Sequence, residues 1–112
     1  MAADRFTSRF EVTESRIDKW LWCARFFRTR GMAARYCAQG NVRINRIQTN
    51  KPHHPIHVGD VLTFALGPYI RVIRVVALAQ RRGSAPLARA LYVDLAPPSP
   101  DNAINATTSV PD

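Results

Sequence analysis

Arginine is the residue type with the most binding chemistry to offer here, and its distribution is uneven. From Arg16 to Arg89 the 112-residue chain carries 14 of its 16 basic residues against only two acids, Asp18 and Asp60. Fourteen of the 16 are arginine. A guanidinium grips phosphate with two parallel N–H donors and stacks on bases, whereas lysine acts as a point charge. The net charge of +8 and pI near 10.8 therefore point to a polyanionic partner, nucleic acid first. A GC-rich genome writing arginine for lysine explains the residue type but not its confinement to one stretch.

Other reactive side chains carry less. His53, His54 and His57 lie in a proline-bearing loop with no cysteine or carboxylate at ligand spacing, so no metal is expected. Cys23 and Cys37 fall inside helical patterns, as small buried side chains do, and make neither a disulfide nor a zinc pattern. No nucleophile motif, glycine-rich phosphate loop or carboxylate pair is present. The sequence reads as a non-enzyme without cofactors, which also counts against a complete pseudouridine synthase or aminoacyl-tRNA synthetase.

The elements that would position the arginines follow from periodicity. From Arg16 to Phe27, the residues Ile17, Trp20, Leu21, Ala24 and Phe27 recur at helical spacing, with Ser15 as N-cap and Asp18 placed as in a capping box. A second helix fits Thr29 to Gln39, capped by Thr29 and stopped by Gly40, after a link of one or two residues. The period then shortens to two: Val42 and Ile44 alternate with Arg43 and Asn45 as a strand. Gln48 to His57, with Pro52 and Pro55, reads as irregular loop. Val58-Gly59-Asp60 turns into a strand from Val61 to Leu66, and Gly67-Pro68 into another from Tyr69 to Leu78. A loop from Arg81 to Pro86 precedes a last strand, Ala90 to Leu95.

The fold expected is α+β, a helical hairpin followed by a small antiparallel sheet. Residues 1–14 read as a flexible segment, 15–95 as one domain and 96–112 as a disordered tail too poor in apolar residues to repay ordering. No run is long and apolar enough to span a membrane and no signal peptide is evident, which suggests the cytoplasm. A monomer is expected.

On that frame Arg16, Lys19 and Arg25 lie off the apolar stripe of the first helix, Arg28 and Arg30 flank the cap of the second, and Arg35 lies on its polar side. Arg43 points away from the side that buries Val42 and Ile44. The N–H groups at the second helix start add affinity for phosphate. Such a face suits the backbone of structured RNA, read by shape more than by sequence. Trp22 and Phe26 fall opposite the core stripe, where packing is the preferred reading over base stacking.

The run RIDKWLWCARFFRTRGMAARYCAQGNVRIN, followed by Lys51-Pro52 and Val58-Gly59-Asp60, resembles the RNA-binding domain first named for small-subunit ribosomal protein four, the S-four domain. More narrowly, RIDKWLWCARFFRTR is similar to the start of the heat-shock protein fifteen family, and the likeness covers roughly residues 16–78. The resemblance implies two helices before an antiparallel sheet, and RNA contacts at Arg16, Lys19, Arg28, Thr29, Arg30, Arg35, Asn45 and Lys51. Asp18 is expected to be structural, orienting neighbouring arginines. The resemblance further implies ribosomal RNA, the large ribosomal subunit and heat stress as the setting. Three positions depart from the family pattern: Arg46 replaces a usual glycine, Gly31 replaces a small polar residue, and a neutral tail stands where a basic helical extension is usual.

Two rival readings remain. A DNA-binding regulator would place the second helix in the major groove, but Gly31, Met32, Ala33 and Ala34 offer little hydrogen bonding there. An accessory RNA-binding subunit of a separate enzyme is the other.

Overall fold

Ile17, Trp20 and Leu21 are completely buried, and their spacing fixes the first helix, α1 (Ile17–Cys23). The structure, a computed structural model, describes residues 13–97. The segments expected to be flexible, 1–14 and 96–112, therefore lie almost entirely outside the described residues.

Helix α1 is shorter than its apolar spacing suggests because it ends in a Schellman-type turn. The N–H of Arg25 donates to Trp22 O and that of Phe26 to Leu21 O, with Arg25 at φ 67° in the left-handed position that glycine usually fills. The turn throws Phe26 into the core, where its ring centroid lies 4.8 Å from Tyr92 and 5.3 Å from Phe64. Packing, not base stacking, is thus the lot of Phe26. The link to α2 (Arg30–Ala38) spans residues 24–29 instead of the one or two expected. Helix α2 starts as its sequence indicates: Thr29 Oγ1 accepts from the N–H of Met32 at 3.1 Å, and Gly40 closes the far end at φ 79°. Ala33 and Cys37 are its fully buried residues, small enough to admit close packing on α1.

The expected N-cap at Ser15 is not made. Ser15–Arg16 is instead a short strand, β1, paired antiparallel with β4 (Pro55–Ile56). The N–H groups of Ile17 and Asp18 donate to the carbonyls of His54 and Pro52, so the 52–56 stretch does the capping. Proline is compatible with this pairing because a two-stranded ribbon leaves one edge of each strand without a ladder.

Chain reversal at Asn45-Arg46 joins β2 (Val42–Ile44) to β3 (Ile47–Thr49), with φ of 51° and 75° at the two turn residues. Two left-handed residues make the type I′ loop that matches strand twist. Strand β3 also occupies part of the stretch expected to be irregular. Strands β5 (Val61–Leu66) and β6 (Tyr69–Val75) follow, then a short helix α3 (Ala85–Arg89) that begins within the loop expected over 81–86, and β7 (Tyr92–Asp94). Ser84 Oγ caps α3 and Pro86 sits in its first turn. The sheet is antiparallel throughout, in the order β3-β2-β5-β6-β7, giving the expected α+β architecture.

One face of the sheet carries Val42, Ile44, Leu62, Phe64, Ile73 and Val75 against the two helices. Two polar links lock the layers: the Trp20 indole donates to Ala77 O at 2.9 Å, and the Tyr36 hydroxyl donates to Ala65 O at 2.7 Å while accepting from its N–H at 2.8 Å. Both cysteines are buried and free; burial, then the nearby Asp18 carboxylate, pushes the Cys37 thiol up to about 12.

Candidate nucleic-acid interface

Asp18 organises the start of both helices. Its carboxylate is buried, accepting from the Lys19 N–H at 2.6 Å and from Arg16 Nε and Nη2 at 3.1 and 2.8 Å. Arg30 Nη2 stands 4.0 Å away on the same group. Two half-exposed guanidiniums, one from β1 and one from the first residue of α2, are therefore aimed by one buried acid, as expected of it. A bidentate pair of this kind holds the fork in one orientation while leaving its outer edge to solvent.

The other expected residues fall into two groups. Thr29 sits at the α2 cap beside Arg30, and Arg35 reaches back over the first turn, its Nη1 3.7 Å from where a Cβ on Gly31 would stand. Lys51 is exposed in the loop whose carbonyls receive the first N–H groups of α1, which brings it to the same end of the molecule as Arg16. Arg28 is exposed immediately before the cap, with no hydrogen bond or ion pair among the described residues. Arg16, Lys19, Arg28, Thr29, Arg30, Arg35 and Lys51 thus surround the junction of the two helix starts.

Three residues stand apart. Arg43 pairs in register with Gln48 and Thr63, on the sheet face turned away from the helices. Asn45 uses its side chain on the protein: Nδ2 donates to Asp60 Oδ1 at 3.0 Å and Oδ1 accepts from the Val61 N–H at 2.9 Å. Arg25 turns to the 81–84 loop, its Nε donating to Gly83 O at 2.9 Å. That loop brings in Arg81 and Arg82, which are not among the expected contact residues. The Arg82 guanidinium lies 5.7 Å from the centre of the Trp22 ring, covering the aromatic surface once considered for stacking.

Among the described residues no group of three potential metal ligands exists. His57 instead contacts Glu14 at 3.2 Å and Asp60 at 3.8 Å. No helix of the described residues is long and apolar enough to cross a membrane.

Comparison with known proteins identifies what the chain is similar to. The family model of the S4 domain matches residues 15–62. The chain is 40% identical over 81 residues to the heat shock protein 15 homolog of Aeromonas salmonicida, covering 72% of this chain and 61% of the relative. It is 37% identical over 85 residues to heat shock protein 15 of Escherichia coli K12, covering 76% and 63%. The chain thus spans about three fifths of the length of these curated relatives. A solved structure of Vibrio cholerae heat shock protein 15, described as trimeric, superposes with a TM-score of 0.73 at 31% identity, over 88% of this chain and 99% of that one.

Proposed function

This chain belongs to the heat shock protein 15 family of S4-domain proteins, and from that premise we propose that it is a non-catalytic, cytoplasmic RNA-binding protein that grips structured ribosomal RNA. Residues 15–95 form the binding unit. The observation that carries the reading is the pair of half-exposed guanidiniums of Arg16 and Arg30 held on the buried Asp18 carboxylate.

Phosphate is the ligand this arrangement suits. Preset arginine forks lose little freedom on binding, and the cap at Thr29 leaves the first N–H groups of α2 turned toward the same anion. Lys19, Arg28, Arg35 and Lys51 extend the contact along the backbone; Arg25, Arg43 and Asn45 contribute from the margins, Asn45 by holding the hairpin turn. Such contacts read the shape of a folded RNA, and their strength falls steeply with salt. The large ribosomal subunit under heat stress is the setting that kinship with heat shock protein 15 suggests. We take the acting form to be a monomer, in contrast to the trimer described for the Vibrio protein.

The test is affinity for a structured ribosomal RNA fragment, measured beside an equal length of duplex DNA. Tight, salt-sensitive RNA binding lost in Arg30→Glu supports the reading. Preference for duplex DNA overturns it.

A further inference from the structure

The chain after the S4 match, which ends at residue 62, brings a second set of cations back to the helices. Arg25, in its left-handed turn, donates to Gly83 O at 2.9 Å; Arg82 Nη2 approaches Phe27 O at 3.5 Å and its guanidinium stacks on Trp22. The loop 81–84 is therefore clamped onto the link between α1 and α2 from both sides. Arg28 of that link and Arg81 of the loop are exposed, with no polar partner among the described residues.

Among the described residues no carboxylate pairs with Arg25, Arg28, Arg81 or Arg82. The four carboxylates among the described residues are all engaged elsewhere: Glu14 with His57, Asp18 with Arg16 and Arg30, Asp60 with Asn45 and His57, and Asp94 with Arg71. Burial pushes the Cys23 thiol up, while the charges of Lys19, Arg30 and Arg82 each pull it down. Gathering like charges costs stability through mutual repulsion, and a polyanion bound across them offsets that cost.

Arg82 has a second, purely structural reading, as a staple over Trp22. Its Nε is buried and without a hydrogen-bond partner, which a staple chosen only for stability would avoid. Arg81 is exposed and its side chain makes no polar contact among the described residues.

We propose that Arg81 and Arg82, beside Arg25, form a second phosphate-binding bank that continues the helix-start surface from Arg28 around the end of α1 and takes the phosphodiester backbone of the same RNA. The proposal rests on the RNA-binding reading above. The experiment is titration of a structured ribosomal RNA fragment by fluorescence anisotropy at several salt concentrations, with the full chain, Arg81→Gln, Arg82→Lys, Arg82→Gln and, as a reference on the first surface, Arg30→Glu. Melting temperature is recorded for each variant.

Arg81→Gln is expected to weaken binding severalfold and to lower the slope of log affinity against log salt by roughly one, the loss of one phosphate contact, with the melting temperature unchanged. Arg82→Lys should keep the slope that Arg82→Gln loses. An unchanged affinity and slope in Arg81→Gln, while Arg30→Glu binds poorly, overturns the second bank and leaves the first surface standing. Failure of the unaltered chain to bind RNA overturns both.

Discussion

Arg16 and Asp18, two residues apart, form a forked ion pair in which the carboxylate is buried and the guanidinium half exposed. The acid cannot be reached by a ligand, yet it determines where the arginine points. Neutralising it removes the anchor for Arg16 and the nearest acid to Arg30. Asp18→Asn should lower stability by about 2 kcal/mol, the range for hydrogen bonds to charged groups, and should also weaken RNA binding although no ligand touches residue 18. Urea denaturation and anisotropy titration of the same sample check both halves.

Tyr36 supplies the matching control away from the arginines. Among the described residues its hydroxyl is the partner of both the N–H and the carbonyl of Ala65 on that side of β5, where β2 has already ended. Tyr36→Phe should cost about 1–3 kcal/mol by leaving these groups unpaired, with RNA affinity unchanged once the protein is folded. Denaturation together with titration at low temperature separates the two effects.

The hairpin turn makes the opposite prediction. Arg46 sits at φ 75°, where an L side chain is strained by roughly 1 kcal/mol or more relative to glycine. Arg46→Gly should raise the urea midpoint, and a lowered midpoint would mean that the arginine makes a compensating contact.

Alkaline pH should loosen the fold through Cys37. Its thiol is raised by burial from 9.0 to about 12, so between these values the unfolded chain releases its proton first and holds fewer protons than the native one. Stability contributed by this group is full below pH 9 and declines as pH rises toward 12. In Cys37→Ala the fall in urea midpoint above pH 9 should be shallower than in the unaltered chain.

Much of this was legible in the sequence where the cause is local. Thr29 caps α2 through a bond three residues away and Gly40 ends it by its own backbone freedom, so both signals lie inside one short window. The alternation of Val42 and Ile44 about Arg43 likewise marks its own buried side. What was hidden depends on distant partners. Ser15 looks like a helix cap until Ile56 is known to pair with it, and Pro52 looks like a breaker although its carbonyl is what caps α1. The early end of α1 was masked because Arg25 takes a left-handed position that glycine normally signals, and because the apolar spacing runs on through Phe27. Of the expected contact residues, those at the two helix starts gather as the motif suggests, whereas Arg43 and Asn45 do not, since alternation along a strand says which side a residue faces but not what lies on that side. The doublet Arg81-Arg82 carried only a charge signal, and its return to Trp22 is a tertiary fact.

The most direct test of the central claim is the affinity of Arg28→Glu for a structured ribosomal RNA fragment. Arg28 is exposed and makes no polar contact among the described residues, so the fold and melting temperature should be unchanged. The account predicts a loss of affinity of at least about tenfold, with a shallower salt dependence. Unchanged binding by a folded Arg28→Glu protein would contradict it.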